Sequence, residues 1–199
     1  MPIELWAARL ERPLTEQENE AMLALLPPER RERLLRIRDP EKCREPLCAY
    51  LLLRMALSRR YGWRAFPEIA FSDRGKPCFP AYPGVHFNLS HTGGAVLVGI
   101  SDQELGVDIE RIRPVGRRTM ARLAGVSDEG AFFQSWVRRE ARSKRSGDGI
   151  GTMMRAEEPL QYGEFYYELE TFPGYAAGVA TRSKDRPGAV RLYSLGEML

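Results

Sequence analysis

Gly106-Val107-Asp108-Ile109-Glu110 and, further along, Trp136-Val137-Arg138-Arg139-Glu140-Ala141-Arg142-Ser143-Lys144 are the two stretches around which the chain is arranged. The first alternates apolar and acidic side chains with the period of a strand, so Asp108 and Glu110 share one face and Ile109 takes the other. The second has helical spacing: Trp136, Glu140 and Lys144 recur four apart and form one stripe. Three carboxylates and an ammonium can therefore meet at one site. Carboxylates gathered at a point repel one another unless a hard cation sits among them, and Mg2+ beside a phosphate answers that need.

The rest of the composition is consistent with such a site. The chain has 199 residues, 43% hydrophobic and 29% charged, enough for one sizeable core or two small lobes sharing one, and neither disordered nor membrane-spanning in character. The net charge of +3 permits an anionic ligand or partner, but it lacks the clustered basic excess of nucleic-acid binders. No export signal opens the sequence, and the richest apolar run, Ala49 to Leu57, is broken by Arg54, so a cytoplasmic location with no membrane contact is expected. Cys43, Cys48 and Cys78 lack Cys-x-x-Cys spacing, and His86 and His91 are the two histidines, which argues against disulfides, thiolate zinc and histidine-rich metal sites. Lysine is scarce: Lys42, Lys76, Lys144 and Lys184 stand among 30 basic residues, so each surviving lysine draws notice.

In chain order, Ile3 to Leu10 reads as a strand, and Thr15 with Glu18 forms a capping box for a helix through Leu25, stopped by Pro27-Pro28. Glu29 to Arg38 has helical period and five arginines. Asp39-Pro40 opens a further helix through Tyr61, in which Pro46 predicts a restart or a kink. From Pro67 the pattern is β-like: Glu68 to Ser72, a turn at 73–75, Cys78-Phe79, His86 to Leu89, Ala95 to Ile100 and Leu105 to Ile109. After Pro114 comes a basic, weakly patterned stretch, then a cap at Ser127-Asp128-Glu129, a helix from Ala131 to Ser146 closed by Gly147, and strands at Glu164 to Thr171, Tyr175 to Thr181 and Ala189 to Leu195. The class is α+β. Phe132, Phe133 and Trp136 are expected in the core.

Gly75-Lys76-Pro77, Phe87-Asn88-Leu89-Ser90-His91, the Gly106 to Glu110 stretch, and Trp136 to Lys144 followed by Gly147-x-Gly149 occur in the order and approximate spacing of the Sfp-type 4'-phosphopantetheinyl transferases, which the chain resembles over nearly its whole length. The resemblance implies a monomer of two similar α/β lobes, residues 1–103 and 104–199, with the active site in the cleft between them. It implies coenzyme A as co-substrate, Mg2+ (or Mn2+) as cofactor, and transfer of the phosphopantetheine arm to a serine of an acyl or peptidyl carrier protein, releasing adenosine 3',5'-bisphosphate. Asp108, Glu110 and Glu140 resemble the metal ligands, Glu140 also the general base, and Lys144 the lysine on the pyrophosphate. Ser90 and His91 resemble residues that bind coenzyme A phosphate, Lys76 and Pro77 the turn at its adenine end, and Arg30 and Arg33 lysines that approach its 3'-phosphate. A solvated helix face would account for these last two equally well.

The chain departs from the family pattern in three places. Glu45-Pro46 stands where relatives carry an arginine and a small hydroxyl residue near the 3'-phosphate, Arg139 replaces a lysine, and the segment from Ile112 to Gly130 is short in a region that contributes to carrier docking. A relative that binds coenzyme A or a carrier with little or no turnover is the alternative these departures suggest. A basic nucleic-acid-binding module would leave the acidic residues unexplained.

Overall fold

In the computed structural model the described residues are 2–73, 75–149, 151 and 159–199, with only the backbone described at 40 and 41. The chain runs β1 (Glu4–Arg9), α1 (Glu16–Ala24), α2 (Pro28–Leu35), α3 (Pro40–Tyr61), β2 (Ala70–Phe71), β3 (Pro77–Cys78), β4 (His86–Thr92), β5 (Ala95–Ser101), β6 (Leu105–Arg111), α4 (Arg117–Ala124), α5 (Glu129–Ser146), β7 (Phe165–Glu168), β8 (Tyr175–Thr181) and β9 (Arg191–Ser194). The mixed α+β class is as the sequence reads.

Helix α1 begins at the expected capping box: the Glu18 amide donates to Thr15 Oγ1 at 3.2 Å, and the Thr15 amide donates to Glu18 Oε2 at 2.8 Å. Helix α3 neither restarts nor breaks at Pro46. Leu47, Cys48, Leu52 and Leu53 are wholly buried on its inner face, and that burial outweighs the loss of one amide donor. The basic stretch after Pro114, which carries no clear period, contains α4, anchored through buried Met120 and ended by Gly125 in the left-handed region at φ 67°.

Two sheets stack between helices. The larger has the order β4-β5-β1-β9 and the smaller β6-β8-β7. Alternation along β1 and β5 assigns their two faces. Trp6, Ala8, Val96, Val98 and Ile100 pack with α3, while Leu5, Ala7, Ala95 and Leu97 pack with Leu105, Val107 and Ile109 of β6. The far face of the smaller sheet is covered by α5. Strand β9 lies parallel to β1, so a strand late in the sequence completes the larger sheet.

Gly106 fixes how closely α5 approaches. A side chain there would run into the backbone of Ala141, Lys144 and Arg145, so only glycine lets the helix rest directly on β6. The helix itself is capped by Asp128, whose Oδ1 accepts from the Ala131 amide at 2.8 Å, and closed by Gly147 at φ 77°.

Candidate active site

Since Leu105, Val107 and Ile109 face the larger sheet, Gly106, Asp108 and Glu110 must face the other way, toward α5. Asp108 is 3% exposed. Its Oδ1 accepts from Lys144 Nζ at 2.7 Å and from Ser90 Oγ at 2.7 Å, and Lys144 Nζ also reaches Ser90 Oγ at 3.0 Å. Asp108 Oδ2 is buried with no hydrogen-bond partner among the described residues. Burial raises the Asp108 carboxyl above its ordinary value, against the opposing pull of Lys144 and Ser90.

Glu140 precedes Lys144 by one helical turn. Burial raises its carboxyl, and the charges of Asp108 and Glu110 push in the same direction while Lys144 opposes them. The expected carboxylates therefore feel one another electrostatically. As the side chains stand, no three His, Cys, Asp or Glu residues among those described form a group that would enclose a metal ion. Cationic side chains hold two of the carboxylates instead: Lys144 on Asp108, and Arg113 Nη1 on Glu110 Oε2 at 2.9 Å. Thr92 Oγ1 donates to the same Glu110 oxygen at 3.1 Å.

Asn88, Ser90 and Thr92 form a polar ladder along β4 that runs beside β6. Asn88 Oδ1 accepts from the Val107 amide at 2.9 Å, Ser90 Oγ from the Ile109 amide at 3.3 Å, and Thr92 reaches Glu110. Side chains here take the place of a backbone ladder and satisfy donors on the outer edge of β6. Asn88 and Thr92 were not singled out by sequence; their alternation with Ser90 was the available signal.

His91 points the other way, toward α3. Its Nδ1 lies 3.4 Å from Glu45 Oε2, while Glu45 Oε1 accepts from the Gly94 amide at 2.8 Å. The hydrogen bond with His91, aided by that amide, holds the Glu45 carboxyl below its ordinary value. The acid that departs from the resembled pattern thus contacts the candidate residue His91.

Lys76 Nζ donates to the Arg145 carbonyl at 2.6 Å, capping the C-terminal turn of α5, and burial lowers its ammonium. Pro77 follows in β3 beside a cavity of about 130 Å3 shared with Phe79, Tyr82 and Phe87. Arg30 and Arg33 lie on a different wall, lining an open cavity of about 430 Å3 with Arg36 and Phe71. Arg30 is 7% exposed, its guanidinium 3.9 Å from the Phe71 ring centroid, whereas Arg33 is exposed. Asp108, Ser90 and Lys144 are thus in contact, with Glu110 and Glu140 within electrostatic reach; His91 turns to the other face of β4, Lys76 meets the end of α5, and the arginines line a separate cavity.

A buried ion-pair cluster holds the end of α5. Arg142 Nη2 meets Glu164 Oε2 at 2.9 Å with both side chains 1% exposed, and Arg145 Nη2 meets Glu164 Oε1 at 3.3 Å. Sequence reading gave no role to Glu164, because only the folded chain brings it to α5. Burial alone would raise this carboxyl, but hydrogen bonds from Arg142 and the Gln161 amide and the two arginine charges hold it below its ordinary value. Cys43, Cys48 and Cys78 are free thiols. Among the described residues no helix is long and apolar enough to cross a membrane.

No family model matches the chain. Among curated proteins, it is 28% identical over 225 residues to the 4'-phosphopantetheinyl transferase Sfp of Bacillus subtilis (strain 168), an alignment that takes in 99% of this chain and all of that one. It is 26% identical, with the same coverage, to the 4'-phosphopantetheinyl transferase ffp of Bacillus subtilis. A further match, 32% identical over 127 residues, is the 4'-phosphopantetheinyl transferase AcpT of Salmonella typhi, covering 56% of this chain and 65% of that one. Over nearly its full length the chain is thus similar to two 4'-phosphopantetheinyl transferases of Bacillus subtilis.

Proposed function

We propose that this chain transfers the 4'-phosphopantetheine group of coenzyme A to a serine of an acyl or peptidyl carrier protein, releasing adenosine 3',5'-bisphosphate. The observation that carries the reading is the meeting of Asp108, Ser90 and Lys144 at hydrogen-bond distance, with Glu140 and Glu110 close enough to act on each other's charge. These are the residues whose motifs resemble the family's, and full-length likeness to Sfp supports the same activity. The two-lobe division at 103/104, with the site in the cleft between lobes, belongs to this reading, as do a monomeric state and a cytoplasmic location.

The chemistry of the donors suits a divalent cation. Asp108 Oδ2 is a buried carboxylate oxygen without a partner, and Glu140 is held in the repulsion of two other carboxylates, so a hard cation would relieve both. Asp108, Glu110 and Glu140 would hold Mg2+, or Mn2+ in its place. When bound, the ion would neutralise charge on the coenzyme A pyrophosphate.

The chain's own groups then divide the work. Lys144, aimed by α5 and steadied by Ser90, supplies positive charge to the pyrophosphate. Glu140, one helical turn before Lys144, takes the proton from the carrier serine. The serine oxygen forms its bond to the phosphorus bearing pantetheine as the bond to the adenosine bisphosphate oxygen breaks. His91, with Ser90, serves the phosphate groups of coenzyme A; Lys76, Pro77, Arg30 and Arg33 serve its nucleotide end.

The deciding experiment is mass spectrometry of fatty-acid and peptide-synthetase carriers incubated with the chain, coenzyme A and Mg2+. Gain of the phosphopantetheine mass on the carrier serine is expected, and no gain on any carrier removes the proposal. A second reading, a relative that binds coenzyme A or a carrier with little turnover, draws on Glu45, whose carboxylate occupies His91. Calorimetric binding of coenzyme A without carrier modification would select it.

A further inference from the structure

Glu110 is held unlike Asp108. Lys144 approaches Asp108 from the last turn of a packed helix, and its side chain is 29% exposed. Arg113 approaches Glu110 from the short connection between β6 and α4, and its side chain is 55% exposed. Three contacts keep it there: Glu110 Oε2 at 2.9 Å, the Arg111 carbonyl at 3.0 Å, and the Phe133 ring, whose centroid lies 4.8 Å from the guanidinium carbon. Each is individually weak at a half-exposed position, and the connection supplies no helical backbone to anchor the residue.

We propose that Arg113 is a displaceable counter-ion on Glu110, which competes with a divalent cation for that carboxylate and so sets the cation affinity of the site. The proposal rests on the reading of Glu110 as a cation ligand. Its logic is electrostatic. The guanidinium on Glu110 Oε2 already neutralises the carboxylate and would repel a divalent cation held by either of its oxygens, and of the two partners on Oε2, Arg113 and Thr92, the exposed one is the one that can leave. The Phe133 face offers the guanidinium a resting place after it releases Glu110, so only the ion pair need be lost. Thr92, fixed on β4, stays to orient the carboxylate.

The test titrates the whole chain with Mn2+ alone and follows the free ion by electron paramagnetic resonance. Arg113→Ala should bind Mn2+ about two- to fivefold more tightly than the unaltered chain, the span of one partly exposed ion pair. Arg118→Ala removes the same charge from the surface of α4 and is the control for general electrostatics; it should change the affinity distinctly less. Unchanged or weaker binding by Arg113→Ala, equal gains in the two variants, or no Mn2+ binding by either the unaltered chain or Arg113→Ala would each overturn the proposal. Carrier modification is read in a separate assay, so a chain that still adds phosphopantetheine while failing this test loses the Arg113 inference and keeps the proposed activity.

Discussion

Lys144 Nζ and Asp108 Oδ1 stand 2.7 Å apart, tying the last turns of α5 to the middle of β6 across the contact that Gly106 makes possible. The pair neutralises a carboxylate that burial disfavours, and it leaves the ammonium partly exposed, free to meet a phosphate under the proposed function. Removing either partner should therefore be felt in folding and in activity, to different degrees.

Lys144→Ala leaves Asp108 buried without its cation. Stability measured by urea unfolding should fall by about 1–3 kcal/mol, below the full cost of breaking a wholly buried pair because Lys144 is partly solvated. Carrier modification should fall as well. A variant with unaltered stability and rate would separate Lys144 from Asp108.

Asp108→Asn keeps the shape of the side chain and removes its charge. Transfer to a carrier should drop by at least a hundredfold, roughly the loss expected when one electrostatic contributor leaves a phosphoryl-transfer site. Near-normal modification of the carrier, followed by mass, would remove Asp108 from the machinery.

Glu45→Gln keeps the geometry facing Gly94 and His91 but discharges the residue. If His91 serves a coenzyme A phosphate, the dissociation constant measured by calorimetry should fall roughly fivefold, equivalent to about 1 kcal/mol of relieved like-charge repulsion at a partly exposed position. Glu45→Arg should shift it in the same direction. An unchanged constant in both variants would mean that no ligand phosphate approaches this acid.

The buried Glu164 gives a pH dependence with a definite sign. Its folded-state carboxyl sits below the ordinary value of 4.5, so the stability it confers is fully present above that pH and is lost as pH falls through the lower folded value. Urea midpoints of the unaltered chain should decline across that acidic window. Glu164→Gln should lose this component and, at neutral pH, about 3 kcal/mol or more, since it strands Arg142 and Arg145 in the interior. Parallel pH profiles for the two proteins would show that the ion pairs do not govern acid unfolding.

The sequence revealed those features that are local or periodic. Thr15 with Glu18, Asp128 and Gly147 mark helix ends through contacts within a few residues, and the structure holds them as read. The alternation from Gly106 to Glu110 and the four-residue spacing of Glu140 and Lys144 also placed the acids on facing surfaces. Helix α4 escaped although Met120, Leu123 and Ala124 pack inward and its three arginines face out; at eight residues the stripe is only two turns long, and the basic surroundings masked it. Of the two readings at Pro46, a restart is excluded, because tertiary burial carries α3 unbroken through the local penalty. The partnerships of Arg113 with Glu110 through Phe133, and of Glu164 with Arg142, depend on neighbours that only folding supplies.

The parallel pairing of β9 with β1 bears on how the protein is born. Arg191 and Glu4, 187 positions apart, are joined by an ion pair at 3.0 Å, and Tyr193 stacks on Trp6 at 5.8 Å. During synthesis, the outer edge of β1 must wait, open to mispairing, until residues 191–194 have left the ribosome. Closure over so long a separation is slow compared with the helices and hairpins formed beforehand. The last pairing of the larger sheet to form should accordingly be that of residues 191–194, and a nascent chain stalled before them would carry the carboxylate strand β6 beside a larger sheet still missing β9.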